Sequence, residues 1–270
     1  MTPLLVLLVL TQAQPGKGTG PQGTEPVEPW VHVQLEQGFE QYEEDGRLFL
    51  NTRLGADFKA SQRVGLRADI SRVEKFGKSG FGTGLLADIR VGETLRLLPG
   101  VSLGDKDVLA VATAGVGALY SGLDPWPGFV LTGWLTLYAF ADSRTVATTL
   151  GLVQYYKRFW LQYDLRYMQV LNARVSGFSS SLNLGARFTE PVRFELSVGA
   201  SGGHDAYLAP YIAPDVRVEL RGINANAHLR LWVLRHAGIQ TSVWTGTQWW
   251  KSGAPAFTWQ GMSVGLWMEQ

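Results

Sequence analysis

The chain has 270 residues, 46% of them apolar, and 24 basic against 23 acidic side chains leave a net charge of +1. Gly is high at 32 residues, and only 17% of positions are charged, where a soluble domain carries about a quarter. The absence of Cys excludes a disulfide scaffold, a zinc-thiolate site and a Cys nucleophile. The balanced charge gives no electrostatic reason to expect nucleic acid, and the aromatic and aliphatic content excludes disorder. A mean hydropathy of +0.01 argues against a bundle of membrane helices.

In chain order, the first element is an unbroken apolar run from Leu4 to Leu10, followed by Thr11-Gln12-Ala13. A short apolar run before small residues is the pattern of a secretory signal peptide, assigned to residues 1-13. Residues 14-29 are rich in Gly, Pro and polar residues and read as a flexible linker. The remainder, residues 30-270, reads as one domain. Its most apolar stretch, Val108 to Ala141, is cut by Pro125, Pro127 and Gly128 into pieces too short for a helix of about 20 residues to span a bilayer. Strands fit better, because Phe129, Leu131, Leu135 and Leu137 fall on one phase of a two-residue period.

That period recurs along the domain. Val31, Val33, Leu35 and Phe39 alternate with His32, Gln34 and Glu36; Leu48, Leu50, Leu54, Ala56 and Phe58 alternate with Arg47, Asn51, Arg53 and Asp57. Val64 to Ile70 is interleaved with Arg67 and Asp69, and Phe81 to Ile89 with Asp88, with Arg90 following. Phe159 to Tyr167 alternates with Gln162, Asp164 and Arg166; Phe178 to Phe188 with Asn183 and Arg187; Val192 to Val198 with Arg193 and Glu195; Ile223 to Val233 with Asn224, Asn226, His228 and Arg230. A period of two marks strands with one apolar and one polar face. No apolar-phase residue just named is charged, and Gly38, Gly55, Gly65, Gly82, Gly84, Gly185 and Gly199 all lie on the polar phase, as suits a curved wall with a crowded inner face.

Such strands build either a soluble barrel or sandwich, apolar phase inward, or an outer-membrane barrel, apolar phase toward lipid. Length favours the membrane, since runs of roughly ten residues match a tilted bilayer span. Aromatic placement agrees: Phe39, Phe58, Phe81, Phe129, Phe159, Phe178 and Phe188 sit at strand ends as interfacial girdles do. The strands are expected at 31-40, 47-58, 62-73, 81-91, 95-104, 109-121, 128-140, 144-156, 159-170, 177-188, 192-202, 222-234, 237-247 and 257-268. The fold class is therefore an all-β, transmembrane, antiparallel up-and-down barrel of about fourteen strands, with twelve and sixteen left open. Short turns such as Lys157-Arg158 and Arg235-His236 alternate with longer loops such as Gly203 to Arg221 and Gln248 to Ala256, which sets both termini in the periplasm.

From Val31 onward the chain resembles the YaiO family of outer-membrane β-barrel proteins. The specific stretch is Phe129 to Asp205: an aromatic-ended strand leading to Phe140-Ala141-Asp142, a strand closing on Tyr155-Tyr156, a two-residue turn into Phe159-Trp160-Leu161, then Asp164-Leu165-Arg166-Tyr167, the Ser-rich strand Ser176 to Arg187, and Gly199 to Asp205. The chain departs from the pattern at Lys157-Arg158, where a Gly is expected, and at its end, Met268-Glu269-Gln270 in place of a terminal aromatic. Trp259 and Trp267 are the candidates to replace that aromatic. The resemblance implies a location and a fold, and brings no catalytic motif.

The four His, His32, His204, His228 and His236, have neither metal spacing nor a zincin-type pair. His204-Asp205 amid many Ser invites comparison with outer-membrane lipid hydrolases, which need nucleophile and base within hydrogen-bond reach at the lipid-facing rim. No Ser partner is evident, so no catalytic residue is assigned. The sharper set is lumenal: Arg47, Arg53, Asp57, Arg67, Asp69, Asp88, Arg90, Asp164, Arg166, Arg187, Arg193, Glu195 and Arg230. Mixed signs favour a mutually neutralising network over a solute-selecting ring of one sign. Trp249-Trp250-Lys251 with Trp259 suggests a carbohydrate-stacking patch or, better, interfacial anchors. The expectation is a monomeric, non-enzymatic envelope barrel without metal or cofactor, partnered by outer-membrane lipid and the barrel-assembly machinery, and acting as a narrow pore or a glycan-associated component. A lipid hydrolase and a closed structural or surface-interaction barrel are the alternatives.

Overall fold

The computed structural model describes residues 30–43, 48–75, 77–122, 128–141, 143–171, 175–208, 217–250 and 252–270. The expected signal peptide and linker, and Arg47, lie outside the described residues. Fourteen antiparallel strands close into one barrel. They are β1 (Trp30–Tyr42), β2 (Leu48–Lys59), β3 (Val64–Lys75), β4 (Lys78–Val91), β5 (Leu95–Gly104), β6 (Ala112–Tyr120), β7 (Phe129–Ala139), β8 (Arg144–Tyr156), β9 (Phe159–Val170), β10 (Val175–Phe188), β11 (Phe194–Leu208), β12 (Arg217–Leu234), β13 (Ala237–Trp250) and β14 (Pro255–Glu269). Each strand pairs with its neighbours in sequence, and β1 closes on β14 from His32 opposite Glu269 to Tyr42 opposite Trp259. No edge is left unpaired, which is the condition for crossing a hydrocarbon layer with strands.

The alternation decides which side each residue faces. Leu35, Leu54, Ile70, Leu85, Leu135, Leu150, Leu184, Val198 and Leu266 are exposed, whereas His32, Gln34, Glu36, Gln162, Asn183, Glu195, Ser197 and Gln240 are buried. This inverts the order of a water-soluble core. A belt of large exposed aliphatics around the whole circumference is stable only against an apolar medium, so the wall is that of a transmembrane barrel. The girdle residues all lie on this outer phase, with Phe39, Phe81 and Phe178 toward the end opposite the termini and Phe58, Phe129, Phe159 and Phe188 toward the terminal end. Charge does reach the outer phase, but only at strand ends: Arg72 and Glu74 pair at 2.5 Å at the far end of β3, with Arg144 and Arg221 at the same end of β8 and β12.

Three sequence expectations need correction. β11 and β12 run on to Leu208 and from Arg217, still paired, so the long loop expected over 203-221 is mostly hairpin. Gln248 to Trp250 likewise extend β13, and β14 begins at Pro255, which shortens the loop expected over 248-256. The strand expected over 109-121 begins only at Ala112, because residues 105–111 make a tight turn. Leu109 N–H donates to Asp105 O at 2.8 Å, and the turn carries Val108 and Leu109 onto Gly80, Gly82 and Gly104 of the inner face, where a Cβ would stand within 3 Å of them. Val108 is 2% exposed, so this turn folds into the mouth of the barrel instead of continuing its wall.

Candidate functional site

The described strands enclose one interior, and its lining divides into sectors. On β4 to β7 it is mainly apolar, apart from an Arg96–Asp88 pair: Leu98 and Leu119 are buried, with Leu86, Val130 and Trp134 packed on them. On β1 to β3 and β11 to β14 it is charged and aromatic. On β9 and β10 it is mainly amide, hydroxyl and unpaired charge.

The charged groups lie mostly toward the terminal end, in one chain through His32 and Arg230 and in separate pairs beside it. Arg67 Nε donates to Asp57 Oδ1, and Arg53 pairs with Asp69 at 3.2 Å. Asp57 Oδ2 lies 3.0 Å from His32 Nδ1, and Arg230 Nη2 lies 3.0 Å from His32 Nε2. Since Arg can only donate, Nε2 is the acceptor and the proton resides on Nδ1, pointing at the carboxylate. Arg230 reaches His32 from β12 by lying over the ring of Trp267, 4.0 Å from its centroid, while Arg193 lies 4.2 Å over Trp232 and pairs with Glu269 at 3.9 Å. Arg187 pairs with Glu195 at 2.5 Å, and Arg96 with Asp88. Arg96 and Glu269 were missed by the sequence reading, and both are legible afterwards as inner-phase residues of strands whose alternation is blurred by Pro99 and by the indoles of β14.

The placement of Trp corrects the sequence reading further. Trp259 and Trp267 face inward, 7% and 2% exposed, and serve neither as lipid anchors nor as a terminal signal on the outer wall. By register Trp250 also faces inward and Trp249 outward. Five inward indoles lie directly opposite a glycine: Trp134 on Gly117, Trp160 on Gly185, Trp267 on Gly238, Trp259 on Gly246 and Trp244 on Gly261. A Cβ at any of those glycines would stand within 2.6 Å of the indole, so each Gly is the floor on which a Trp lies flat along the wall. At the loop end Tyr42 meets Phe49 edge-on at 4.9 Å and stacks on Trp259 at 6.3 Å, with Lys75 Nζ 5.0 Å over Phe49.

The remaining sector is different. Asp164 and Arg166 face inward two residues apart on β9, yet Asp164 Oδ2 accepts only from Gln162 at 2.6 Å and Ser181 at 3.3 Å, while Arg166 Nη2 meets the Met168 sulfur at 3.7 Å. Of the expected lumenal set, Arg53, Asp57, Arg67, Asp69, Asp88, Arg187, Arg193, Glu195 and Arg230 are joined to partners around the wall, and Arg90 is exposed near the terminal end. His228 bonds Ser242 at 2.9 Å. His204 faces outward opposite Phe178, and no described hydroxyl bonds to it. Among the described residues no group of three or more His, Asp or Glu converges as a metal site.

No family model matches the chain, and no curated protein matches it. Solved structures do. A bacterial polysaccharide outer membrane secretin superposes with a TM-score of 0.59 at 8% identity, over 88% of this chain and 97% of that one. The CymD monoaromatic hydrocarbon channel gives 0.54 at 8% identity over 91% and 89%, and the COG4313 outer membrane channel from Pseudomonas putida F1 gives 0.51 at 10% over 93% and 100%. At such identities the likeness is one of fold: this chain has the architecture of the bacterial outer-membrane β-barrels.

Proposed function

We propose that the protein is a bacterial outer-membrane channel, termini in the periplasm, that passes small polar solutes without strong preference for ionic charge. One observation carries the reading: the interior hydrogen bonds, ion pairs and ring contacts named above join strands at most three places apart, so they run around the wall and none bridges the lumen. Fourteen strands about 4.8 Å apart and tilted about 40° enclose a cylinder about 28 Å across between backbones, wide enough for side chains that lie flat to leave a passage. The inner carboxylates and guanidinia mostly neutralise one another, which supports weak selectivity, since a ring of one sign is what selects ions. That the structural neighbours include channels and a secretin is in keeping with this, and the YaiO type is the narrower assignment we favour within the class, on the stretch Phe129 to Asp205. A single chain closes the barrel, in keeping with a monomer inserted by the barrel-assembly machinery.

Reconstitution of the full chain in planar bilayers tests this. Discrete, reproducible steps are expected, with a reversal potential near zero in a potassium chloride gradient; absence of reproducible steps overturns the channel. The second reading, a closed barrel that holds an envelope partner or glycan, is favoured by the turn 105–111 in one mouth and the Trp–Arg stack near the other.

A further inference from the structure

We infer that the inner face of β7 to β10 is a recognition site for a neutral polyhydroxylated solute, a saccharide, held by Asp164, Asn183, Thr132 and Arg166 between the indoles of Trp134 and Trp160. The inference deepens the channel reading by naming the solute class and the place where it rests.

The first observation is where unpaired polar atoms gather. In folded proteins nearly every buried polar atom has a hydrogen-bond partner, and an unmet one is destabilising. Of the nine unpartnered buried side-chain atoms among the described residues, five, Asp164 Oδ1, Arg166 Nε, Asn183 Nδ2, Thr132 Oγ1 and Trp134 Nε1, lie on the inner face of β7, β9 and β10, and they include the only carboxylate, amide and hydroxyl of the set. The other four, Arg53 Nε, Arg230 Nε, Trp259 Nε1 and Trp267 Nε1, are single N–H groups of the charged and aromatic sector. Asp164, Asn183 and Thr132 are each more than nine-tenths buried. Thr132, Gly151 and Asp164 stand opposite one another in register, and Asn183 stands opposite both Gln162 and Gly199.

The second is the glycine floor. A Cβ on Gly151 would stand 2.1 Å from Asp164 Oδ1 and 2.4 Å from Thr132 Oγ1, and one on Gly199 would stand 1.9 Å from Asn183 Oδ1. The carboxylate thus lies down toward β8 and the amide toward β11, which splays them apart and leaves the ground between them to the lumen. A guest on that ground draws the two side chains up from their glycines and satisfies them together.

The third is the chemistry of the set. It holds an acceptor carboxylate, donor guanidinium and amide groups, and a hydroxyl that does both, so its guest must offer donors and acceptors side by side. Vicinal hydroxyls do so without charge. Trp160 lies flat on Gly185 and Trp134 on Gly117, both only partly buried, so each offers part of an apolar face to the C–H side of a sugar ring while the hydroxyls reach the polar atoms.

The test is a tryptophan-fluorescence titration of the folded full chain in detergent with maltose, with glycine as the zwitterionic competitor chemistry. A saturable change with maltose, weakened at least tenfold by Asp164→Asn and by the near-isosteric Thr132→Val and unaffected by Asp88→Asn, supports the site. A response that does not saturate, one equally strong in the Asp164→Asn and Thr132→Val proteins, or saturation by glycine in place of maltose overturns it. Heat-modifiable mobility on gels confirms that each variant is folded. Because the readout is binding and not current, a barrel that shows no bilayer steps but titrates with maltose loses the channel reading and keeps the site, and the converse result does the reverse.

Discussion

The interior of β12 to β3 and the interior of β7 to β10 are made of the same residue types and do opposite things with them. In the first, each guanidinium named above meets a carboxylate, a ring nitrogen or an indole face, although Arg53 Nε and Arg230 Nε are themselves unpartnered. Arg67 and Arg53 meet carboxylates, and Arg230 meets the one ring nitrogen of His32 able to accept and spreads its remaining surface over Trp267. In the second, Asp164 and Arg166 are neighbours on one face and leave each other alone. Distance along the strand does not explain this; Asp164 is turned to Gln162 and Ser181, and its outer oxygen lies over a glycine. Paired charges rigidify a wall, whereas charges left half-satisfied in a polar hollow are held in readiness for something else.

The largest effect that separates the regions is expected at Asp57. Its carboxylate serves both Arg67 and His32, and removing it in Asp57→Ala takes an ion-pair partner from a guanidinium and the acceptor from a ring N–H in the same stroke. Breaking one side of a buried pair costs about 3–5 kcal/mol; the side chain keeps 14% exposure to the lumen, so about 2–4 kcal/mol is expected here. Urea unfolding of the reconstituted barrel measures it, and a change below 1 kcal/mol removes the structural meaning of the network.

A middle-sized effect is expected at the Trp–Gly pairs of the same region. Gly246→Ala puts a methyl 2.4 Å from the Trp259 indole, which is 7% exposed and has little room to give, and a cost of about 1–3 kcal/mol follows from overpacking. Gly133 is the control, because it faces outward and a Cβ there meets only Leu150 at 3.9 Å. Equal unfolding midpoints for Gly246→Ala and Gly133→Ala would show that the indoles are not seated on their glycines.

These pairs also mark where the sequence stops being readable. Strand number, antiparallel order and the lipid-facing phase follow from the two-residue period, because a strand can hide only alternate side chains and the apolar set is unbroken through Leu54, Ile70, Leu135 and Leu266. Trp259 and Trp267 mislead, since an indole near a chain terminus suits a membrane interface as well as a core. What decides it is the phase of Met262, Val264, Leu266 and Met268, which alternates with theirs and turns both indoles inward, and the glycine that register sets opposite each. Register is a property of two strands and their turn, so Gly246 beneath Trp259 cannot be seen from either strand alone. The turn 105–111 was misread for a similar reason: Val108 to Ala112 is as apolar as a strand, and only the bare inner glycines of β4 and β5 give it a place to fold into. The pairing of Asp57 with His32 was likewise hidden, while membership of both in the inner phase was not.

The smallest effect sharpens the comparison most. Asp164→Asn keeps the shape of the side chain and replaces a carboxylate by an amide. The loss is the charge in two hydrogen bonds, from Gln162 and Ser181; a bond to a charged group is worth about 1.5–3 kcal/mol and a neutral one about 0.5–1.5, and the amide oxygen still accepts. The gain is relief from holding an ionised group, 7% exposed and with one oxygen unmet, away from water, a penalty of several kcal/mol per ion before compensation. The two terms oppose and are of similar size, so the unfolding free energy is expected to move by less than about 1 kcal/mol in either direction. The same logic applied to Asp57 gives a large loss, because there the carboxylate is fully engaged by a guanidinium that cannot give up its charge. A cost at Asp164→Asn that matches the one at Asp57→Ala would mean that both regions are built for stability, and the distinction between a wall that pairs its charges and a face that keeps them free would collapse.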